Sequence, residues 1–276
     1  MAPHWKCGSG KPVAGSNPAL SAISAPRRTA ALGPVPVPTP KACVADCCMP
    51  DIGRAEIVPL ELGTFSFPGD ELPGLQGVVM GYLVRHRGGL LLFDTGFGFG
   101  NAELDERYQP RPVRIGDALH SIGVELAEID VVANCHLHAD HAGQNWTFPG
   151  VPIYVQATEW HVAHTTDHTI LEWIDFDGSR YEQLDGDHAV SDDVSIISTP
   201  GHTPGHQSLA VRTREGLVVL AGQACYTAAE WSGIETPLEG RSGAPDKGAY
   251  DRSIGRLRDL GSVRVRFGHD RAAWTA

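Results

Sequence analysis

Three histidines and one aspartate lie within six consecutive positions of the sequence, His-Leu-His-Ala-Asp-His at residues 136–141. They directly follow a short apolar run rich in β-branched residues, which is typical of a buried strand. Because side chains alternate along a strand, His136 and His138 are expected to point the same way, while Asp140 and His141 follow where the chain turns. Imidazoles and a carboxylate are natural zinc ligands, so the pattern predicts a catalytic metal site; the alternative is a histidine-rich polar surface loop.

A second polar cluster, Thr-Pro-Gly-His-Thr-Pro-Gly-His, occupies residues 199–206. Proline and glycine fix a tight turn, and a histidine held on such a turn is well placed as a further metal ligand. His202 and His206 are both candidates. His202 is favoured because it lies at the end of a predicted strand, whereas His206 opens the next strand.

Other polar residues also stand where predicted strands end. Asp94, in Asp-Thr-Gly, can orient a liganding imidazole or form a simple Asx-turn, and the sequence alone leaves both interpretations open. Gln223 and His269 follow two later strands. Polar, metal-competent side chains at several strand ends indicate one site assembled along a common sheet edge.

The elements that must position these residues follow from the apolar patterns. Strands next to the site are predicted over residues 90–93, 129–135, 194–198, 217–221 and 263–267. Helices are predicted over residues 116–122, 157–164 and 250–260, and the charged residues 165–188 are expected to be loop. Strands in two sequence halves with helices between them predict an α/β fold, an αββα sandwich of two mixed β-sheets flanked by helices.

The first part of the chain differs in composition from the rest. Residues 1–48 are rich in Pro, Ala, Ser and Gly and show no helical or strand period. We expect residues 1–48 to be a disordered N-terminal extension and residues 49–276 to form the folded domain. A start of translation at Met49 is an alternative.

Length and charge narrow the class of protein. A chain of 276 residues can form one large α/β domain or two smaller ones. A net charge of -11 argues against nucleic acid or an anionic membrane surface as the main partner. No run of apolar residues is long enough to span a membrane, and the six cysteines do not form a secreted disulfide framework, so a cytoplasmic location is expected.

The motifs HLHADH, TPGHTPGHQSL, AGQACY and FGHD, in this order and with these separations, resemble the metallo-β-lactamase superfamily. Within that superfamily the chain is similar to the N-acyl-homoserine lactonases, over roughly residues 52–271. HxHxDH marks the superfamily as a whole. PGHTPGHQSL, Tyr226 and the closing FGHD are more particular to the lactonase branch, and the resemblance implies a metallo-β-lactamase-like hydrolase domain.

The resemblance implies two zinc ions and a set of residues that act with them. The residues that match the metal ligands are His136, His138 and His202 for the first ion, and Asp140, His141 and His269 for the second. Tyr226 matches the tyrosine that contacts the substrate carbonyl. Asp140 is also expected to shuttle a proton to the leaving alkoxide, and Asp94 matches an aspartate that supports a liganding imidazole.

One position departs from the family pattern. The family usually has an aspartate that bridges the two metals in a Gly-Asp-Ala context, and this chain has Gln223. Glutamine offers a neutral amide oxygen, whereas borderline and hard cations prefer a carboxylate. We expect weaker binding of at least one metal or a longer metal–metal distance. Three interpretations stay open: a working site with altered metal affinity, an enzyme with one metal ion, or a site with reduced activity. The six intact ligands favour a working enzyme.

The resemblance implies metal-dependent hydrolysis of the lactone ring of N-acyl-homoserine lactones by a metal-activated hydroxide, which inactivates a quorum-sensing signal. Rival functions are another lactonase, a glyoxalase II-type thioesterase, a β-lactamase, a di-iron flavoprotein or a non-catalytic binding protein. The flavoprotein is disfavoured because no flavin-binding domain follows. Gln223 is the only feature that supports a non-catalytic binding protein.

The expected partner is a small-molecule lactone, and a homodimer is compatible with the resemblance. The acyl chain needs an apolar groove. Candidate residues for it are Phe65, Phe67, Phe97, Phe99 and Trp146.

Overall fold

The computed structural model of the chain describes residues 54–68, 74–234 and 245–276. The predicted extension over residues 1–48 and the alternative start at Met49 lie outside the described residues. Within the described ranges no helix combines the length and the apolar character that crossing a membrane requires.

The first β-sheet carries the HLHADH segment. Its strands are β1 (Glu56–Ser66), β2 (Gln76–His86), β3 (Gly89–Phe93), β4 (Arg111–Pro112), β5 (Val131–Ala133), β6 (Ile153–Gln156) and β7 (Tyr181–Leu184). They lie in the order β4-β1-β2-β3-β5-β6-β7. Strands β3, β5, β6 and β7 run parallel, while β4, β1, β2 and β3 pair antiparallel. Because β3 and β5 are parallel, the residues that follow them meet at one edge.

The second β-sheet supplies the remaining strand ends. Its strands are β8 (His188–Ala189), β9 (Val194–Ser198), β10 (Gln207–Thr213), β11 (Gly216–Leu220), β12 (Arg264–Phe267) and β13 (Asp270–Thr275), in the order β13-β12-β11-β10-β9-β8. Strands β11 and β12 are parallel and the other pairs antiparallel. Both sheets are therefore mixed, as the sequence pattern predicts.

Alternation along the strands creates the layers of the sandwich. Leu91 and Phe93 of β3 pack in the core between the sheets, with Leu209 and Leu220 from the second sheet. Leu92 points the opposite way, into a core beneath the helices on the outer face of the first sheet. The Tyr82 hydroxyl donates a 2.7 Å hydrogen bond to a backbone carbonyl of the second sheet and so joins the two sheets directly.

Helices cover both outer faces. They are α1 (Ala102–Tyr108), α2 (Ile115–His120), α3 (Ala139–Ala142), α4 (Ala157–Thr165), α5 (Leu171–Ile174), α6 (Ala228–Trp231) and α7 (Lys247–Asp259). Tyr250, Ile254 and Leu257 recur on one face of α7 and pack on the second sheet, as helical periodicity requires. The layers are helix, sheet, sheet, helix, which confirms the predicted αββα sandwich.

The prediction of loop over residues 165–188 was wrong in two places. This segment contains the short helix α5 and the strand β7. Strand β7 shows little apolar alternation and is held by parallel pairing with β6. Its strand conformation therefore depends on tertiary contacts rather than on its local sequence. Helix α1 was also not predicted; Asn101 caps its first turn by accepting a hydrogen bond from the Leu104 amide.

Candidate metal centre

The polar strand ends predicted from the sequence meet at one edge of the sandwich. Residues 136–141 follow β5, and the amide of Gln207 at the start of β10 donates a 2.8 Å hydrogen bond to the Cys135 carbonyl. This bond joins the HLHADH segment to the second sheet. His202 lies on the turn before β10 and His269 on the turn after β12.

His136, His138 and His202 form one cluster, the three-histidine set. One ring nitrogen from each of the three residues lies within 4.8 Å of the other two. All three side chains are buried. His202 Nε2 lies 3.2 Å from His138 Nδ1, and the ring centroids of His136 and His138 are 4.4 Å apart. Three imidazoles at this separation can supply three of the four ligands of a tetrahedral zinc site.

Asp140, His141 and His269 form a second cluster, the aspartate set, within the same 4.8 Å limit. His141 Nε2 lies 3.3 Å from His269 Nε2 and 3.3 Å from Asp140 Oδ2, and Asp140 Oδ2 lies 3.5 Å from His269 Nε2. The structure thus brings the six predicted ligands together in the two groups of three that the resemblance implies. Their role as ligands stays a prediction.

The donor atoms themselves fit metal ions. His136 Nε2 and both Asp140 carboxylate oxygens are buried and have no hydrogen-bond partner, although Asp140 is close to two imidazoles. A buried carboxylate without hydrogen bonds is costly unless a cation compensates it. Imidazole nitrogen and carboxylate oxygen are the donors that zinc takes in proteins.

Burial also prepares these side chains for metal. It lowers the pKa of His136 and His138 well below the ordinary value, and the neighbouring imidazoles lower both further. The neutral imidazole is the form that binds metal. Burial raises the pKa of Asp140, but the charges of His141 and His269 outweigh it and leave that pKa below its usual value. Asp140 is therefore an ionised acceptor at neutral pH.

Asp94 lies directly behind the aspartate set. Its Oδ2 is 3.0 Å from His141 Nδ1, and its Oδ1 accepts a 2.7 Å hydrogen bond from the Cys135 amide. Its φ of 66° is left-handed, which aspartate tolerates better than most residues. Of the two interpretations left open by the sequence, the structure shows contact with the imidazole, and this contact orients the ring.

His206, the rival of His202, has a different environment. Its Nε2 accepts a 3.0 Å hydrogen bond from the backbone amide of Gln223, and its Nδ1 lies 2.9 Å from Thr199 Oγ1. Burial lowers the pKa of His206 well below its ordinary value. His206 is thus a neutral imidazole that fixes the backbone at Gln223, whereas His202 joins the three-histidine set.

Gln223 and Tyr226 lie at the aspartate set. The Gln223 side chain is buried, and its Oε1 accepts a 3.0 Å hydrogen bond from His141 Nε2. The Tyr226 ring stacks on the His269 ring with centroids 4.9 Å apart. Burial raises the pKa of Tyr226, and the charge of Asp140 raises it further, so the hydroxyl stays protonated and can donate.

Two polar residues near the site were missed by sequence reasoning. Glu159 is fully buried at the start of α4, and His168 lies in the segment expected to be loop, with its ring 4.4 Å from that of His138. A glutamate in the first turn of a helix looks like an ordinary surface residue, so the sequence offers no signal for its burial. Cys135 was predicted only as the last residue of a buried strand, and its Sγ lies 3.0 Å from His136 Nδ1.

The predicted groove aromatics divide between core and surface. Phe65 is buried and meets the His269 ring edge-on at 5.7 Å, and Phe67 packs on Phe65 at 4.9 Å. Phe97 is fully buried in the core on the outer face of the first sheet, whereas Trp146 is 44% exposed. Phe65 is therefore the candidate in contact with the metal centre.

Comparisons with known proteins agree with this geometry. A family profile described as the metallo-beta-lactamase superfamily matches residues 75–275. An N-acyl homoserine lactonase from a Bacillus species is 33% identical over 205 residues, which cover 68% of this chain and 80% of that relative.

Solved structures of the same kind superimpose on the chain. An N-acyl homoserine lactone hydrolase with the product N-hexanoyl-L-homoserine bound at its catalytic metal centre is similar with a TM-score of 0.66 and 28% identity. The match covers 79% of this chain and 93% of that one. A mutant of Bacillus thuringiensis AiiA with N-decanoyl-L-homoserine bound at its active site gives the same TM-score, identity and coverage.

Proposed function

The chain belongs to the metallo-β-lactamase superfamily, and we propose that it is a metal-dependent lactonase that hydrolyses the lactone ring of N-acyl homoserine lactones. The observation that carries the proposal is the convergence of both ligand sets with Tyr226 at one edge of the sandwich. Relatives that are N-acyl homoserine lactonases, and a similar structure with the ring-opened product at its metal centre, support the substrate class.

The proposed cofactor is a pair of zinc ions. The three-histidine set would hold one ion and the aspartate set the other, because the donor types and their unpartnered atoms suit zinc. Zinc held in this way supplies Lewis acidity toward a carbonyl oxygen and makes water a strong nucleophile at neutral pH. Gln223 replaces the charged bridging ligand that the resemblance implies, so the second site is proposed to bind its ion more weakly.

Tyr226 would act on the carbonyl of the lactone. When water adds to the carbonyl carbon, negative charge develops on the carbonyl oxygen, and a hydrogen-bond donor already in place stabilises it. The Tyr226 hydroxyl is protonated across the neutral range because its pKa is raised. Stacking on His269 limits the motion of the Tyr226 ring and thus keeps its hydroxyl at the metal centre.

Asp140 would move the proton that the reaction requires. Water loses a proton as it adds to the carbonyl carbon, and the ring C–O bond then breaks to give an alkoxide that needs a proton. The Asp140 carboxylate is ionised and lies beside the imidazoles of His141 and His269, so it can take up the first proton and return it to the ring oxygen. The product is an N-acyl-homoserine with a free hydroxyl and a carboxylic acid, which then loses its proton to solvent at neutral pH.

A substrate comparison tests the proposal. Rates would be measured with N-acyl homoserine lactones of several chain lengths, other lactones, S-lactoylglutathione and a chromogenic cephalosporin, with zinc content determined on the same sample. We expect the highest kcat/KM on the homoserine lactones, and loss of activity in His138→Ala. Preference for the thioester or the cephalosporin would reject the lactonase in favour of another hydrolase of the superfamily.

Two further proposals concern the context of the domain. We place the protein in the cytoplasm, because Cys135 and Cys225, the cysteines in the described ranges, are free and buried. We also propose that residues 49–276 form the hydrolase domain and residues 1–48 an extension outside it. The change in composition supports that boundary, and the family match over residues 75–275 lies within the proposed hydrolase domain.

A further inference from the structure

Glu159 is a buried carboxylate on which four hydrogen-bond donors converge. Its Oε1 accepts from the Leu137 amide at 2.9 Å and from His168 Nε2 at 2.6 Å. Its Oε2 accepts from Thr203 Oγ1 at 2.6 Å and from the Gly205 amide at 3.2 Å. Despite complete burial, which raises the pKa of Glu159, these donors keep it below the ordinary value. Glu159 is therefore ionised and fully hydrogen-bonded.

These donors belong to the two segments that carry the three-histidine set. Leu137 lies between His136 and His138, and Thr203 follows His202 directly. One carboxylate thus joins a loop of the first sheet to a turn of the second.

The turn over residues 199–206, which carries His202, lies in direct contact with the start of α4. A Cβ atom added at Gly205 would come within 2.2 Å of the Glu159 amide nitrogen, so the chain permits only glycine at this approach. Glu159 also fixes His168, whose ring lies against that of His138 at 4.4 Å between centroids.

The aspartate set is held by other groups. Asp94 supports His141, and the Thr95 amide donates a 2.7 Å hydrogen bond to the His141 carbonyl. His269 Nδ1 donates a 2.8 Å hydrogen bond to the Val78 carbonyl in β2. None of these bonds involves Glu159; the two ligand sets share the contact of Cys135, whose Sγ lies 3.0 Å from His136 Nδ1 and 3.3 Å from His141 Nδ1.

We propose that Glu159 is a positioning residue that sets the distance between His202 and the His136–His138 segment, and thereby the metal affinity of the three-histidine set alone. This role rests on the metal centre of the proposed function but not on the lactone substrate. The chemistry requires a carboxylate of this length. An amide would turn its own N–H groups toward two donors, and aspartate would be too short to reach both segments.

The test measures zinc affinity rather than activity. Zinc binding to the purified chain is titrated against a chelating indicator, and the visible spectrum of the cobalt-substituted protein reports the geometry of each site. Glu159→Gln is expected to weaken one of the two sites by about tenfold to hundredfold and to leave the other unchanged. The weakened site should be the one lost in His138→Ala and retained in His269→Ala.

Two more variants separate positioning from general destabilisation. Thr203→Val removes one of the links and should weaken the same site to a smaller degree; it decides the question if Glu159→Gln does not fold. Asn101→Ala is the control, because Asn101 caps helix α1, which carries no predicted ligand, by accepting a hydrogen bond from the Leu104 amide. It should lower the melting temperature without changing either zinc affinity.

The outcomes are distinct. Equal weakening of both sites by Glu159→Gln, or unchanged affinities with a lower melting temperature only, would overturn the positioning role. A wild-type chain that binds no zinc would overturn it together with the metal centre. A chain that binds zinc but does not hydrolyse homoserine lactones would reject the substrate and leave the role of Glu159 to be decided by the affinities.

Discussion

Replacing Gln223 with aspartate should strengthen the second metal site. The Gln223 amide oxygen lies 3.0 Å from His141 Nε2, the same atom that faces His269 and Asp140. Gln223→Asp places a carboxylate beside this group of donors. It supplies the negative charge that the resemblance implies at this position and that the native chain lacks.

The size of the effect follows from charge and burial. A unit charge about 4 Å from a doubly charged ion is worth roughly 8 kcal/mol at an effective dielectric constant of 20. Removing a carboxylate from water costs several kcal/mol, and Gln223 is almost completely buried, so most of the attraction is offset. We expect a net gain of about 1.4 to 2.8 kcal/mol, which is about tenfold to hundredfold in zinc affinity.

The assay is a zinc titration of Gln223→Asp, Gln223→Asn and the native chain. Asparagine has the size of aspartate without its charge, so the difference between the two variants isolates the charge from the shorter side chain. The aspartate variant should bind the weaker zinc ion more tightly than both other proteins. In the metal-free state it should unfold at a lower temperature, because its carboxylate then faces Asp140 without a cation between them.

Equal zinc affinities of the aspartate and asparagine variants would refute this reasoning. The neutral side chain of Gln223 would then not lower the zinc affinity of the second site, and the charge at position 223 would have no effect on that affinity.

Three other predictions test separate parts of the structure. Tyr226→Phe should lower kcat by on the order of 10²-fold without changing zinc content, because it removes the donor to the oxyanion and no predicted metal ligand; steady-state kinetics and metal analysis measure both. Tyr82→Phe should lower the free energy of unfolding by about 1–3 kcal/mol in urea titrations, because it leaves a buried carbonyl of the second sheet without its donor. The metal-free protein should lose stability as the pH falls below 6.5, since burial lowers the folded-state pKa of His136 and His206 and protonation then favours the unfolded chain. His141, whose pKa is raised by Asp140 despite burial, acts in the opposite direction; urea titrations at pH 8 and pH 5 that show no loss would contradict the net effect.

Much of the site could be predicted because its residues are close in sequence or follow apolar strands. The HLHADH segment carries four of the predicted ligands, and strand periodicity alone indicates that His136 and His138 share a direction. His202 was favoured over His206 from its place at the end of a predicted strand, and the structure shows where each of the two rings lies. The backbone amide of Gln223 donates a hydrogen bond to His206, whereas His202 lies beside His138 in the three-histidine set.

The anchors of the site could not be predicted in the same way. Glu159 is 22 positions from Leu137 and 44 from Thr203, and its contacts exist only once both sheets have packed. Strand β7 has the same cause, because its pairing with β6 rather than its own sequence makes it a strand. Local patterns predict which residues can bind metal, whereas tertiary contacts decide how firmly they are held.

Each ligand set draws on both sheets. His136 and His138 follow β5 and meet His202 from the second sheet, and Asp140 and His141 likewise meet His269. Neither of these two ligand sets is complete within one sheet, so each bound ion would act as a clamp between the halves of the sandwich. Free zinc at a hundred times its dissociation constant adds about 2.7 kcal/mol to folding stability per site. Chelation should therefore first loosen the docking of the two sheets along this edge, and resistance to heat becomes a direct measure of metal supply.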